Sequence, residues 1–483
     1  MYDIIIIGAG IIGTSIARAL SRYETNILVI EKNYDIASET TMANSAIIHS
    51  GYDPVPGTKK ALYNVKGSSV YEEICEQLDV YYSKVGSLTV AVTDEDMKTL
   101  QMLKDRGDTN GVPVILKTRD EVLVMEPNLS SDIKGALYAP TTAIVYPMEV
   151  AIAMMENAMV NGADLKVNEP VTSISQENQR FIVNTTKSSY RSKVVINAAG
   201  IFADQIHNMI AKPTFSIKPK RGQYYVLDQS EKGFVEHVIY PCPSVKGKGV
   251  LLVPTTHGNI LIGPTSELID ADDSKEVTRE GLSYIREKAE QISKEIPFNK
   301  VIHTFSGLRP TADTHDFIIE EVKDVPGFID VAGIESPGLA SAPAIAAAVV
   351  DIVNTYMTLT ENPEFNPIRK GYRHFELLSD EEKRDLIKEM PAYGQMVCRC
   401  EHITEGEIID CIRRPAGAVT VKGVKIRVRP GMGRCQGSFC EPQIVELLAE
   451  ELGISPLDVL YDLDGSNILE EETKVAHGEG SNE

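Results

Sequence analysis

The opening of the chain constrains its fold more than any other stretch. Asp3-Ile-Ile-Ile-Ile7 reads as a buried strand, Gly8-x-Gly10-x-x-Gly13 as a turn, the run through Ala19 as a helix, and Ile27-Leu-Val-Ile30 as a second strand. Strand, glycine turn, helix and strand make a βαβ unit, which calls for a parallel sheet covered by helices. Gly8 allows the tight turn, Gly10 lets a pyrophosphate approach the backbone, and Gly13 lets helix and sheet close up. The helix N-terminus then faces the phosphates, and Glu31, after the second strand, is placed to accept hydrogen bonds from ribose hydroxyls. A bound dinucleotide is expected; the spacing alone does not say which.

At 483 residues the chain needs more than one core. Val194-Val-Ile-Asn-Ala-Ala-Gly200 and the segment Phe328 to Gly338 each read as a strand ending in glycine. The second leads into a small-residue helix, Ala340–Val350, whose unpaired N–H groups would stabilise negative charge on a ligand. An amphipathic helix is expected over 60–80, with strands around Gly86–Val92 and Gly135–Tyr138. Between Ile217 and Gly263 the pattern is strand-rich, with turn signals at Lys246-Gly-Lys-Gly249 and His257-Gly-Asn259. The fold class expected is α/β: a discontinuous nucleotide domain (1–75, 150–212, 325–360) with an inserted antiparallel-sheet substrate domain (76–149, 213–324). A linker over 361–392, holding a short helix capped by Ser379 and Glu382, leads to a cysteine module at 393–464 and an acidic tail at 465–483 expected to be disordered.

That module carries Cys398-x-Cys400 and Cys435-x4-Cys440, separated by 34 residues. Thiolates grouped in this way hold iron–sulfur centres or zinc, and the spacing matches common zinc sites poorly. Arg399, Lys422, Lys425, Arg427, Arg429 and Arg434 are expected to offset the negative charge of a cluster, and Gly431, Gly433 and Gly437 to let N–H groups reach sulfur. Thr404 with Glu407 reads as a capping box, and Cys75, Cys242 and Cys411 as packing residues. An odd count of seven cysteines, four of them grouped, points to a reducing, cytoplasmic setting and not to a disulfide framework.

The net charge of −21 argues against nucleic-acid binding. It is unevenly spread: residues 393–440 hold eight Lys/Arg against four Asp/Glu, and 441–483 one Lys against twelve acids. A small anionic substrate therefore needs a local cation. No uncharged apolar run reaches the length of a membrane span, so no transmembrane segment is expected.

Taken together, IIIIGAGIIGTSIARAL, NSAIIHSGYDP, VVINAAGIFAD, KPKRGQYYVLD, ILIGPTSE, SGLRPTADTHDFIIE, GFIDVAGIESPGLASAPAIA and CRC…GMGRCQGSFC resemble the FAD-dependent oxidoreductases of the D-amino-acid-oxidase type. The nearest branches are the L-2-hydroxyglutarate and glycerol-3-phosphate dehydrogenases, and the C-terminal part is similar to [2Fe–2S] domains of the bacterioferritin-associated-ferredoxin kind. The resemblance implies FAD contacts at Gly8, Gly10, Gly13, Glu31, Asn44, Ser45, Val171, Ala199, Gly200, Gly333, Ser336, Gly338 and Leu339. It implies a [2Fe–2S] cluster on Cys398, Cys400, Cys435 and Cys440, with zinc as the alternative.

Oxidising a secondary alcohol needs a hydride acceptor and a base for the hydroxyl proton. The resemblance puts His49 beside the flavin as that base, with His303 in reserve and His257 structural. A fixed, forked cation suits an anionic substrate, so Arg309 is the first choice of clamp and Arg221 the second. The expected activity is dehydrogenation of sn-glycerol 3-phosphate. L-2-hydroxyglutarate, an amine or amino acid, or a non-catalytic electron-transfer role are the alternatives. A metal–thiolate relay implies a second flavoprotein or quinone-linked subunit as acceptor, through which the enzyme would lie peripheral to a membrane.

Overall fold

The computed structural model describes residues 1–243, 249–269 and 274–471. It divides into two compact units, Met1–Gly371 and a second beginning at Tyr372. In the first, a six-stranded sheet runs in the order Ile318–Glu321, Phe328–Ala332, Val194–Asn197, Ile4–Ile7, Ile27–Ile30, Asp164–Lys166. Its pairs are parallel except for the Ile318–Glu321 edge. All four residues of Ile4–Ile7 are buried, which explains an unbroken apolar run where a half-exposed strand would alternate. Gly8 sits at φ +104°, and a Cβ there would come within 2.5 Å of the Ala198 carbonyl oxygen. One on Gly13 would lie 1.9 Å from the Gly8 oxygen, so the helix Ile11–Leu20 can cross the turn only over glycine.

The expected elements fall close to their places: helices Lys59–Leu78 and Gly338–Tyr356, strands Ser87–Ala91 and Gly135–Ala139. The edge strand Ile318–Glu321 departs from expectation. It pairs antiparallel with Phe328–Ala332 and belongs to the nucleotide sheet, so the boundary expected at 324/325 cuts through a hairpin. Local pattern tells a strand from a helix but does not say which sheet it joins.

A nine-stranded sheet is the second large sheet of this unit, beside two three-stranded ones, and in it Ile217–Leu227 pairs along almost its whole length with Val301–Ala312. Helix Arg279–Ile292 buries Ile285, Ala289 and Ile292 against Leu88, Val90, Ile239, Leu252 and Ile262. Helix Gly338–Tyr356 is the one described helix long and apolar enough to cross a membrane. It is half buried and packs against Ile11–Leu20 and Lys59–Leu78, which makes it a core helix.

Residues 361–392 do not form a free linker. Arg369 is buried in the first unit, its Nε 2.5 Å from Glu156 and its Nη1 donating to the Leu78 carbonyl at 3.0 Å. Tyr372 already belongs to the core of the second unit. The composition looked solvated because its charges are compensated in pairs, one of them buried. The second unit packs helices Glu405–Arg413, Val421–Val428 and Glu441–Leu452 around Ile408, Val424, Ile444 and Leu448. Both expected capping boxes form, Ser379 with Glu382 and Thr404 with Glu407. The turn signal at Lys246–Lys248 and the tail beyond Glu471 lie outside the described residues.

Candidate functional site

A cavity of about 1030 Å³ runs through the first unit. The ends of the parallel strands contribute Gly8, Gly10, Glu31, Ala199, Gly200 and Gly333 to its wall, and the start of helix Gly338–Tyr356 contributes Ser336, Gly338 and Leu339. Asn44, Ser45 and Val171 line it too, while Gly13 does not and acts in packing. Two helix N-termini therefore open on one space. Neither has a side-chain cap from its N-cap residue or an acid in its first turn, which leaves their positive ends available to anionic groups. Glu31 is 7% exposed, and its carboxylate accepts from the Ala9 N–H at 2.8 Å and the Asn33 N–H at 2.9 Å. Burial pushes its pKa up and those two donors act the other way, leaving lone pairs for further hydroxyl donors. Burial also works against charge on Glu39, but Lys32 and Lys275 outweigh it and hold that carboxyl at about 2. The turn that only glycine can make, the two open helix ends and the buried carboxylate fit a flavin dinucleotide.

His49 follows strand Ile47–Ile48 and faces the same cavity. Its Nδ1 lies 3.0 Å from the Tyr240 hydroxyl and its Nε2 3.4 Å from Ser336 Oγ. Burial pushes the Tyr240 phenol well above its ordinary pKa, so it remains neutral. Its part could not be read from sequence, because Tyr240 comes from a strand remote in the chain.

Arg309 lines the cavity as well. Lys220 is its cross-strand partner, and Gly222 pairs with Gly307 on the same face. A Cβ on Gly222 would sit 2.7 Å from an Arg309 Nη atom, so the guanidinium lies in the space this glycine leaves. Lys220 and Tyr224 share that face and line the cavity, with the Tyr224 hydroxyl 3.1 Å from Ser45 Oγ. Sequence reasoning passed over both; the alternation through Lys220, Gly222 and Tyr224 was the available signal.

Arg221, one residue out of step, does not line the cavity itself; it pairs at 2.9 Å with Glu267, which does. His303 is exposed on the strand that carries Arg309, about 20 Å further along it by strand rise. It does not line the cavity either, whereas Arg221 stands one ion pair behind the wall. His257, whose ring packs edge-on to Tyr146 at 5.0 Å, lies outside the cavity lining as expected.

In the second unit the Sγ atoms of Cys400 and Cys435 are 3.7 Å apart, and Cys398 and Cys440 are hydrogen-bonded to each other. Tetrahedral metal–thiolate bonds of about 2.3 Å put two sulfurs about 3.8 Å apart, so Cys400 and Cys435 have the separation of two ligands on one metal. Among the described residues no three ligand groups converge on a single point. Two pairs suit a two-iron cluster, with two thiolates per iron, better than one zinc ion. The Cys440 thiol and the backbone N–H groups of Gly431, Glu401 and Cys400 bring Cys398 down to about 5, already favouring a thiolate. The expected basic halo is thinner than the sequence implied. Lys422 is paired with Asp462, Arg429 with Glu401 at 2.9 Å, and buried Arg427 donates to the carbonyls of Ala416 and Gly423.

Residues 3–352 match the family of FAD dependent oxidoreductases. Residues 396–450 match the BFD-like [2Fe-2S] binding domain. The chain is 48% identical to a glycerol 3-phosphate dehydrogenase of Caloramator mitchellensis, over 98% of this chain and 99% of that one. It is 31% identical to a glycerol 3-phosphate oxidase of Mycoplasma genitalium, over 75% of this chain and 98% of the relative. The structure of dithionite-reduced L-alpha-glycerophosphate oxidase from Mycoplasma pneumoniae, with FAD bound, superposes with a TM-score of 0.73 at 29% identity, covering 76% of this chain and 98% of that one. The chain thus belongs to the FAD dependent oxidoreductases and carries a BFD-like [2Fe-2S] domain towards its C-terminus.

Proposed function

We propose that this protein oxidises sn-glycerol 3-phosphate to dihydroxyacetone phosphate and delivers the electrons, in the cytoplasm, to a partner flavoprotein or quinone-linked subunit. The observation that carries the reading is that His49 and Arg309 line the same cavity as the nucleotide turn. Similarity to a glycerol 3-phosphate dehydrogenase along nearly the whole chain supports the choice of substrate. FAD, when bound, supplies a two-electron hydride acceptor, and a [2Fe–2S] cluster on the four cysteines supplies single-electron transfer onward.

The protein's own groups do the rest. Arg309 binds the phosphate through its planar fork, and Lys220 across the strand adds a second positive charge, which suits a dianion. Nε2 of His49 takes the C2 hydroxyl proton as the C2 hydrogen departs with its electron pair, leaving the ketone. In that tautomer Nδ1–H donates to the Tyr240 oxygen, which fixes the ring plane. Oxygen chemistry has no need of a one-electron relay, so the cysteine domain favours a dehydrogenase.

Anaerobic titration of the holoenzyme tests this. sn-Glycerol 3-phosphate should bleach the flavin band near about 450 nm at stoichiometric addition. Bleaching by L-2-hydroxyglutarate or an amino acid instead would replace the substrate, and bleaching by none would leave an electron-transfer subunit.

A further inference from the structure

The two cysteine pairs differ in their exposure. Cys398 and Cys440 are 2% and 1% exposed, whereas Cys400 is exposed and Cys435 half-buried. A two-iron cluster held by these pairs has an inner and an outer iron. Around the outer pair the surface is unusual for a soluble domain. Phe439, in the turn between Cys435 and Cys440, is 85% exposed, and Met396 is 44% exposed. Arg399 and Arg434, each next in sequence to a cysteine of the outer pair, are exposed. Of the acids beside the four cysteines, Glu401 is 4% exposed and held by Arg429, and Glu441 is half-buried under the turn at Gly437. The edge of the cluster nearest to solvent therefore carries an apolar tip and two outward cations, in a chain of net charge −21.

We propose that this edge is the docking surface for an acidic electron-accepting protein, with Phe439 as the apolar anchor, Arg399 and Arg434 as the steering charges, and the iron on Cys400 and Cys435 as the point of exit. An apolar centre with a charged rim is how short-lived electron-transfer complexes combine fast encounter with weak binding. The positive patch opposes the field of the whole molecule, so it selects a partner by local charge. An anionic membrane would also meet cations and an aromatic ring, but it would gain nothing from an exposed redox edge. The proposal rests on the [2Fe–2S] reading and is independent of which substrate reduces the flavin.

The experiment follows reoxidation of the cluster, by its own visible band, in holoenzyme reduced anaerobically with dithionite. Ferricyanide, an anion, should react on the order of tenfold more slowly as ionic strength rises from about 0.01 to 0.1 M, because salt screens an attraction. The double variant Arg399→Glu/Arg434→Glu, with an unchanged cluster EPR spectrum, should slow ferricyanide and speed the reduction of basic cytochrome c. Damage to the cluster would instead slow both. Phe439→Ala should slow cytochrome c and leave ferricyanide untouched. A ferricyanide rate that rises with salt in the unaltered protein would show that the net negative field governs and would sink the proposal. So would charge reversal that slows only the internal flavin-to-cluster step, or that releases the protein from phosphatidylserine vesicles without altering either acceptor rate.

Discussion

In the proposed reaction Arg309 and His49 divide the substrate between them, and each should fail in its own way. Replacing Arg309 by Lys keeps the charge and removes the fork, at a cost of roughly 1.5–3 kcal/mol of binding. Steady-state kinetics should show KM rising on the order of tenfold or more, with a smaller change in kcat. His49→Asn keeps a polar group beside Tyr240 but no base, and kcat should fall about 10²–10⁴-fold with KM little changed. Glu39 gives a prediction in pH. Its folded pKa of about 2 lies below the ordinary carboxyl value of 4.5, so the stability it contributes is present above that value and lost as pH falls towards 2. The contribution is at most about 3 kcal/mol. Urea unfolding of Glu39→Gln and the parent should differ at pH 6, and the gap should narrow by pH 3 and close only as pH approaches 2. Glu31 was legible at the cavity because the βαβ unit places it there, and Ser336 because of the family resemblance. Tyr240 and Lys220 were not, because strands distant in the chain deliver Lys220 to the cavity and Tyr240 to the His49 ring behind it.

Among the elements, helix starts were the most legible. The Thr404–Glu407 box places a stop and a start within four residues, and its Oγ1 accepts the Glu407 N–H at 3.3 Å. Thr404→Ala should destabilise the second unit by about 1 kcal/mol, read as a lower thermal midpoint of the cysteine domain. Strand membership was less legible. Ile318–Glu321 looks like any short apolar strand, and only the hairpin closing at Gly327 joins it to the nucleotide sheet. Arg221 stands off the cavity wall for a related reason: choosing the face of Ile217–Leu227 requires the register with Val301–Ala312, which no local pattern supplies.

At the scale of the molecule, each unit has a hydrophobic core of its own. Calorimetry of the holoenzyme should resolve two unfolding transitions. Excess FAD should raise only the transition of the Met1–Gly371 unit, because ligand that binds one folded core stabilises that core alone. The boundary between units escaped the sequence because Arg369 and Tyr372 look like solvated linker residues until their partners are known.

Gly222 has a consequence of another kind. The guanidinium proposed to grip the substrate is seated by a vacancy on a neighbouring strand, as a key is held by a tumbler it never displays. Adding one methyl group there would displace the grip while every group in the cavity wall kept its identity. Drift in ligand preference within this architecture can therefore begin at a position that never meets the ligand, and a survey of lining residues alone would overlook it.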